Sequence, residues 1–139
     1  MVIVMEEFNI PFDKAQTVNI YNESVKSEYV YGSAEYRKIM HCWNATVKDA
    51  HDMPAFGVSI NNLTVKEMQK GVWLEFDFKK QLEHNGMPYE KLLIGVGEDY
   101  YGFNLIRFNS ENGYEGRCFY YDLVDKNTAA LYETLINLK

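Results

Sequence analysis

The chain has 139 residues, of which 47% are hydrophobic, and this is enough for one globular domain with a sizeable core. Its 20 acidic residues outnumber its 14 basic ones, so the formal net charge is −6. An acidic surface repels phosphate backbones, so this charge argues against nucleic-acid binding and favours a basic partner. Cys42 and Cys118 each lack a second cysteine at short spacing, which argues against a disulfide framework or a zinc site.

The first residues of the chain show no targeting or membrane signal. Residues 1–5 are apolar, but no basic residue precedes them and two glutamates follow at 6–7. Such a stretch is too short for a signal peptide or a membrane span. We therefore expect a cytoplasmic protein that does not enter a membrane.

The first half of the chain alternates short strands with helices. Residues 17–21 predict a strand, and Ser33 is a suitable N-cap for a helix over 34–51 with one apolar face. Residues 56–60 predict a further short strand. A capping-box pattern predicts a second, short helix over 64–71, closed by a glycine.

In the second half the hydrophobic period changes from helical to alternating. Alternation over 72–78 predicts a half-buried strand, and the turn residues of 84–88 follow it. Three further strands are predicted at 91–96, 102–108 and 114–123, and then a helix that is capped by Asp125 or Asn127 and carries Leu131, Leu135 and Leu138 along one stripe.

These elements predict a single α+β domain over residues 1–139. Four consecutive strands joined by short turns form an antiparallel meander, so we expect a sheet of about five to six strands. The N-terminal and C-terminal helices are expected to pack on one face of this sheet.

The polar face of the predicted sheet is a candidate partner-binding surface. Trp73, Glu75 and Asp77 alternate with the core residues of their strand, so they are expected to point outward. Tyr120 and Asp122 take the corresponding outward positions of the last strand. Aromatic anchors within an acidic rim suit a protein contact, in which the aromatics supply affinity and the acids supply association rate.

Two arginines support an alternative function. Arg107 and Arg117 both occur among apolar residues on strands that are expected to be neighbours. Paired guanidinium groups can hold a carboxylate or a phosphate through forked hydrogen bonds. The alternative is therefore a small-ligand-binding domain that recognises an anionic group.

Catalytic and metal chemistry have less support in the sequence. The histidines at 41, 51 and 84 have no metal-ligand spacing, so we predict neither a metal nor another cofactor. Cys118 is expected to share its face of the strand with Tyr114 and Tyr120 and to be a small, partly buried hydrophobic side chain. An enzyme that uses Cys118 or a histidine is the third and least favoured hypothesis.

The stretches NGMPYEKLLI, GFNLIRF and YEGRCFYYDL, in the C-terminal half, resemble small uncharacterised bacterial proteins, some of which are antitoxin or immunity components of toxin systems. The resemblance implies a cytoplasmic, non-enzymatic protein that binds another protein, such as a basic toxin. A homodimer is left open.

Overall fold

Residues 10–53 and 57–138, the part of the chain that the computed structural model describes, form a seven-stranded antiparallel sheet, a two-stranded sheet and three α-helices. The helices are α1 (Ala34–Val47), α2 (Asn61–Glu67) and α3 (Ala129–Ile136), and a short 3-10 helix covers Phe12–Lys14. The strands are β1 (Thr17–Asn22), β2 (Val25–Val30), β3 (His51–Met53), β4 (Val58–Ser59), β5 (Val72–His84), β6 (Met87–Val96), β7 (Gly102–Phe108), β8 (Gly116–Arg117) and β9 (Phe119–Asp122). The predicted α+β class is confirmed.

The order of strands in the large sheet is β2-β1-β5-β6-β7-β9-β3. Its centre, β5-β6-β7-β9, is the predicted antiparallel meander. The β1–β2 hairpin extends the sheet beside β5, and β3 extends it beside β9, so the sheet is larger than predicted. The sequence did not predict β2 or β3, because β2 is largely polar and β3 has only three residues.

The long strand β5 shows how local sequence builds the centre of the sheet. Its predicted core residues are buried: Val72, Leu74, Phe76 and Phe78. The strand continues past the predicted end because Lys79, at φ 60°, forms an irregularity after which the pairing with β6 resumes. A two-residue turn with positive φ at both positions, 52° and 77°, then joins His84 to Met87.

Helices α1 and α3 cover one face of the sheet, as predicted. The hydroxyl oxygen of Ser33 accepts a 3.1 Å hydrogen bond from the Tyr36 N–H, which is the predicted N-cap of α1. On the buried face of α1, the Trp43 ring packs against Phe12 and Phe76, with centroids 4.8 and 4.9 Å away. Helix α1 ends at Val47 instead of residue 51, because residues 51–53 pair with β9.

The C-terminal helix agrees with its predicted pattern. The Asn127 side-chain oxygen accepts a 3.0 Å hydrogen bond from the Ala129 N–H, where α3 begins. Leu131 and Leu135 are buried in the main core, and Leu138 packs at its margin. The core therefore lies between the sheet and the α1–α3 layer.

The short helix α2 differs from its predicted start and is associated with the opposite side of the sheet. It begins at Asn61, three residues before the predicted capping box. The Thr64 hydroxyl lies 2.5 Å from the Ser59 hydroxyl, so Thr64 is bonded to the segment that precedes the helix and does not cap the helix. Met68, just after α2, packs with Leu93 in a second, smaller cluster. We call the sheet face opposite α1 and α3 the open face, because this cluster covers only part of it.

Candidate binding site on the open sheet face

The five predicted partner-binding residues share the open face, but they are not equally accessible. Trp73, Tyr120 and Asp122 are half-buried, whereas Glu75 is 0% exposed and Asp77 is 6% exposed. The prediction that Glu75 and Asp77 form an exposed acidic rim is therefore wrong. Alternation placed them on the correct side of the strand but does not show what covers that side.

Glu75 is the centre of a buried polar network. Its Oε1 accepts hydrogen bonds from the Asn19 side-chain N–H at 3.0 Å and from the Tyr21 hydroxyl at 3.2 Å. Its Oε2 accepts a hydrogen bond from the Tyr114 hydroxyl. Burial first, and then the nearby carboxylate, raise the pKa of Tyr21 and Tyr114 above the usual value for a tyrosine. Both tyrosines therefore stay protonated and act as donors to Glu75.

Asp77 has a local structural role. Its Oδ1 accepts a 3.0 Å hydrogen bond from the Lys79 main-chain N–H, and its Oδ2 forms a 3.2 Å ion pair with the Lys79 ammonium group. These contacts hold Lys79 in its left-handed conformation, at the point where the pairing of β5 changes register. Asp77 thus belongs to the irregularity of β5 and is not part of a docking surface.

Trp73 and Tyr120 lie in one concave site on the open face. They line a groove of about 560 Å³ together with Tyr100. Each of the three aromatic side chains lies close to a glycine: the Trp73 ring beside Gly95, the Tyr100 ring beside Gly97, and the hydroxyl end of Tyr120 beside Gly102. A β-carbon at Gly97 would lie only 2.5 Å from the Tyr100 ring, and one at Gly102 would overlap the Tyr120 hydroxyl. Glycine therefore lets these rings lie close to the backbone.

A smaller cavity of about 260 Å³ adjoins this groove beneath α2. The two cavities share Glu67, Trp73, Asn104 and Ile106, so they form one continuous depression. We call this depression the aromatic groove. Sequence reasoning found Trp73 and Tyr120 by alternation, whereas the contribution of α2 depends on a tertiary contact that no local pattern signals.

Cys118 lines the smaller cavity and is buried. Its main-chain N–H donates a 3.1 Å hydrogen bond to the Gly57 carbonyl oxygen. Burial raises the pKa of the Cys118 thiol, although the Arg107 guanidinium and a hydrogen bond from Ser59 oppose this effect. The thiol is accordingly protonated at neutral pH and contributes a small apolar surface to the groove.

Arg107 and Arg117 lie close together, but the contact joins the Arg107 side chain to the Arg117 main chain. The Arg107 Nε–H donates to the Arg117 carbonyl oxygen at 2.7 Å, and the Arg107 Nη1–H donates to the Pro88 carbonyl oxygen at 2.8 Å. Burial lowers the pKa of Arg107. The Arg117 side chain is exposed on β8, which pairs with β4. Arg107 therefore acts as a brace between strands, which leaves fewer of its donors for an anion.

Sequence reasoning missed a pair formed by His84 and Asp52. The His84 Nε2 lies 2.6 Å from an Asp52 carboxylate oxygen, although His84 was expected in a turn. His84 is 2% exposed and its ring packs edge-on against Phe119, with centroids 4.8 Å apart. An imidazole oriented by an aspartate can act as a base where a substrate reaches it. Because His84 is buried, the pair instead serves to link β5 to β3.

No group of three or more His, Cys, Asp or Glu side chains within residues 10–53 and 57–138 is placed to hold a metal ion. No helix in the same two ranges has the length and apolarity needed to cross a membrane. Comparison of the chain with protein-family models, with curated proteins and with solved structures returned no match.

Proposed function

We propose that this is a non-enzymatic binding protein that holds an apolar or aromatic segment of a protein partner in the aromatic groove. The observation that supports this function best is the grouping of Trp73, Tyr100 and Tyr120 in one concave site. Tyrosine and tryptophan combine a large apolar surface with a polar tip, and both are enriched among residues that dominate protein–protein affinity.

The shape and lining of the groove favour a polypeptide over a compact small molecule. Two adjoining cavities form one depression on the open face, so there is room for more than one side chain of a partner segment. Small-molecule sites normally enclose the ligand and fix it with a few converging polar groups. In the aromatic groove the charged lining residues are Glu67 and Lys70, and both are exposed on the outer side of the α2 region.

The charge of the protein favours a basic partner. Glu98 and Asp99 are exposed in the connection that also carries Tyr100, so they replace the buried Glu75 and Asp77 as acids beside the site. Together with the net charge of −6, they would attract a basic protein and accelerate its association. The antitoxin or immunity role implied by the resemblance stays a prediction, which an adjacent toxin gene would support.

The test is a pull-down from the source organism followed by binding kinetics on variants of the groove. Trp73→Ala and Tyr120→Ala should each weaken the complex by at least about 2 kcal/mol, or roughly 30-fold in Kd, mainly through faster dissociation. Glu98→Lys with Asp99→Lys should instead slow association and reduce its dependence on salt.

Tyr31→Ala is the matched control, because Tyr31 is an exposed aromatic residue that does not line the groove. This variant should bind with the affinity of the unmodified protein. Recovery of no specific partner, or of a partner whose affinity is unchanged by Trp73→Ala and Tyr120→Ala, would contradict the proposed function.

A further inference from the structure

Strand β2 is an edge of the large sheet. Among the strands formed by residues 10–53 and 57–138, it pairs with β1 only. It is six residues long and its side chains are mostly exposed, including Val25 at 68% and Val30 at 57%. A free edge of this length presents main-chain donors and acceptors that another strand can use.

The hairpin geometry determines which main-chain groups of β2 face outward. Glu23 and Ser24, with φ of 49° and 73°, form a two-residue turn, which makes Asn22 and Val25 a hydrogen-bonded pair. Tyr31, which is odd-numbered like Val25, also bonds on the side of β1: its N–H donates a 2.9 Å hydrogen bond to the Gln16 carbonyl oxygen. Odd-numbered residues of β2 therefore bond to β1, and the main-chain groups of the even-numbered residues point away from the sheet.

The two central even-numbered residues, Lys26 and Glu28, carry opposite charges and are both exposed. If a second copy of β2 pairs antiparallel about Ser27, Lys26 of each copy lies opposite Glu28 of the other. Centring the pairing on Lys26 or on Glu28 would instead place like charges opposite each other. Opposite charges in such cross-strand pairs stabilise a sheet and like charges destabilise it, so one register is favoured.

We propose that two copies of this chain form a symmetric dimer through β2, with a two-fold axis at Ser27 perpendicular to the sheet. The outward main-chain groups of Lys26 and Glu28 bond to those of the other copy, so the sheet continues across both molecules. This axis places the α1–α3 layers of both copies on the same side. There, a depression of about 380 Å³ between β2 and α3, lined by Val25, Tyr29 and Ile136, lies beside the new pair. The proposal is independent of the aromatic groove, whose lining includes no residue of β2.

The first experiment removes one main-chain donor from the interface without changing the hairpin. Proline is tolerated on an edge strand where its missing N–H faces outward, which is the case at Glu28. Sedimentation of the full chain should show a concentration-dependent dimer, and Glu28→Pro should raise its dissociation constant roughly tenfold or more. Glu28→Ala keeps the N–H and is the matched control, with a smaller increase.

The second experiment tests the register through charge. Lys26→Glu and Glu28→Lys should each weaken self-association, because each places like charges opposite each other. An equimolar mixture of the two variants should restore the dimer, since every pair then joins opposite charges. A mixture that associates no better than either variant alone would overturn the Ser27-centred register.

The third experiment traps the dimer covalently. In the proposed pair the two Ser27 residues face each other at a distance that a disulfide can span. Ser27→Cys should therefore form an intermolecular disulfide on mild oxidation, whereas Glu28→Cys, which lies opposite Lys26, should not. A protein that sediments as a monomer at every concentration overturns the proposal. A dimer that resists Glu28→Pro and is not trapped by Ser27→Cys also overturns it, because it must use another surface.

Discussion

At the scale of single residues, Glu75 is the least expected feature of the molecule. A carboxylate without exposed surface is costly unless hydrogen-bond donors replace water, and Asn19, Tyr21 and Tyr114 supply them. The sequence predicted the side of β5 on which Glu75 lies. It could not predict the burial, because two of the three donors come from β1 and the third comes from a loop 39 residues away.

Removing one donor from this network should destabilise the fold. Tyr114→Phe leaves Glu75 Oε2 without its tyrosine donor, so the free energy of unfolding should fall by about 1–3 kcal/mol in urea denaturation. Tyr100→Phe, at an exposed position, should change it little. Combining Tyr114→Phe with Glu75→Gln should cost less than the sum of the two single changes. Strictly additive losses would show that the two side chains are not coupled.

At the scale of elements, the bounds of a strand could be predicted from the sequence when its partner strand is close in the chain. Strand β7 has its predicted bounds, and its neighbours in the meander were also found. The predicted strand 114–123 is instead divided at Cys118 into β8 and β9. The Cys118 N–H donates a hydrogen bond to the Gly57 carbonyl oxygen, and β8 pairs with β4. The strand is therefore interrupted by contacts with a segment about sixty residues earlier in the chain. Periodicity within one segment carries no information about such a partner.

The short edge strand β3 should depend on the link between Asp52 and His84. Asp52→Ala leaves a buried imidazole nitrogen without its partner, which should cost about 1–3 kcal/mol of stability. Because the loss is local, amide hydrogen exchange should accelerate most at residues 51–53 and least in the centre of β6. Asp99→Ala, which removes an exposed aspartate, is the control and should leave exchange in both strands unchanged. Equal acceleration in β3 and β6 would contradict a local role.

At the scale of the whole molecule, the layered arrangement was predictable because each layer has a regular apolar stripe. The alternating residues of β5 and the helical stripes of α1 and α3 indicate one shared core, and the structure confirms it. The open face was not predictable in the same way. Its cover consists of α2, Met68 and Tyr114, whose sequence patterns are short or irregular.

The number of buried tyrosines should set the alkaline limit of the fold. Burial raises the pKa of Tyr36 and Tyr89 to about 12. In the unfolded chain these groups lose their protons near pH 10, so between about pH 10 and pH 12 only the unfolded state is ionised and stability falls as the pH rises. Tyr89→Phe should reduce this slope by up to about 1.4 kcal/mol per pH unit in denaturation measured across that range. An unchanged slope would show that Tyr89 does not contribute.

The strand order also has a consequence for synthesis on the ribosome. Both edges of the large sheet, β1–β2 on one side and β3 on the other, come from the first 53 residues, whereas the centre comes from residues 72–122. The β1–β2 hairpin therefore has no strand to join until β5 has emerged, and β3 has none until β9 has emerged. Such non-local pairing is slow to form, and it leaves the N-terminal segments exposed to unwanted contacts while translation continues. In a cell, the nascent chain should need protection by a chaperone until β9 has left the exit tunnel.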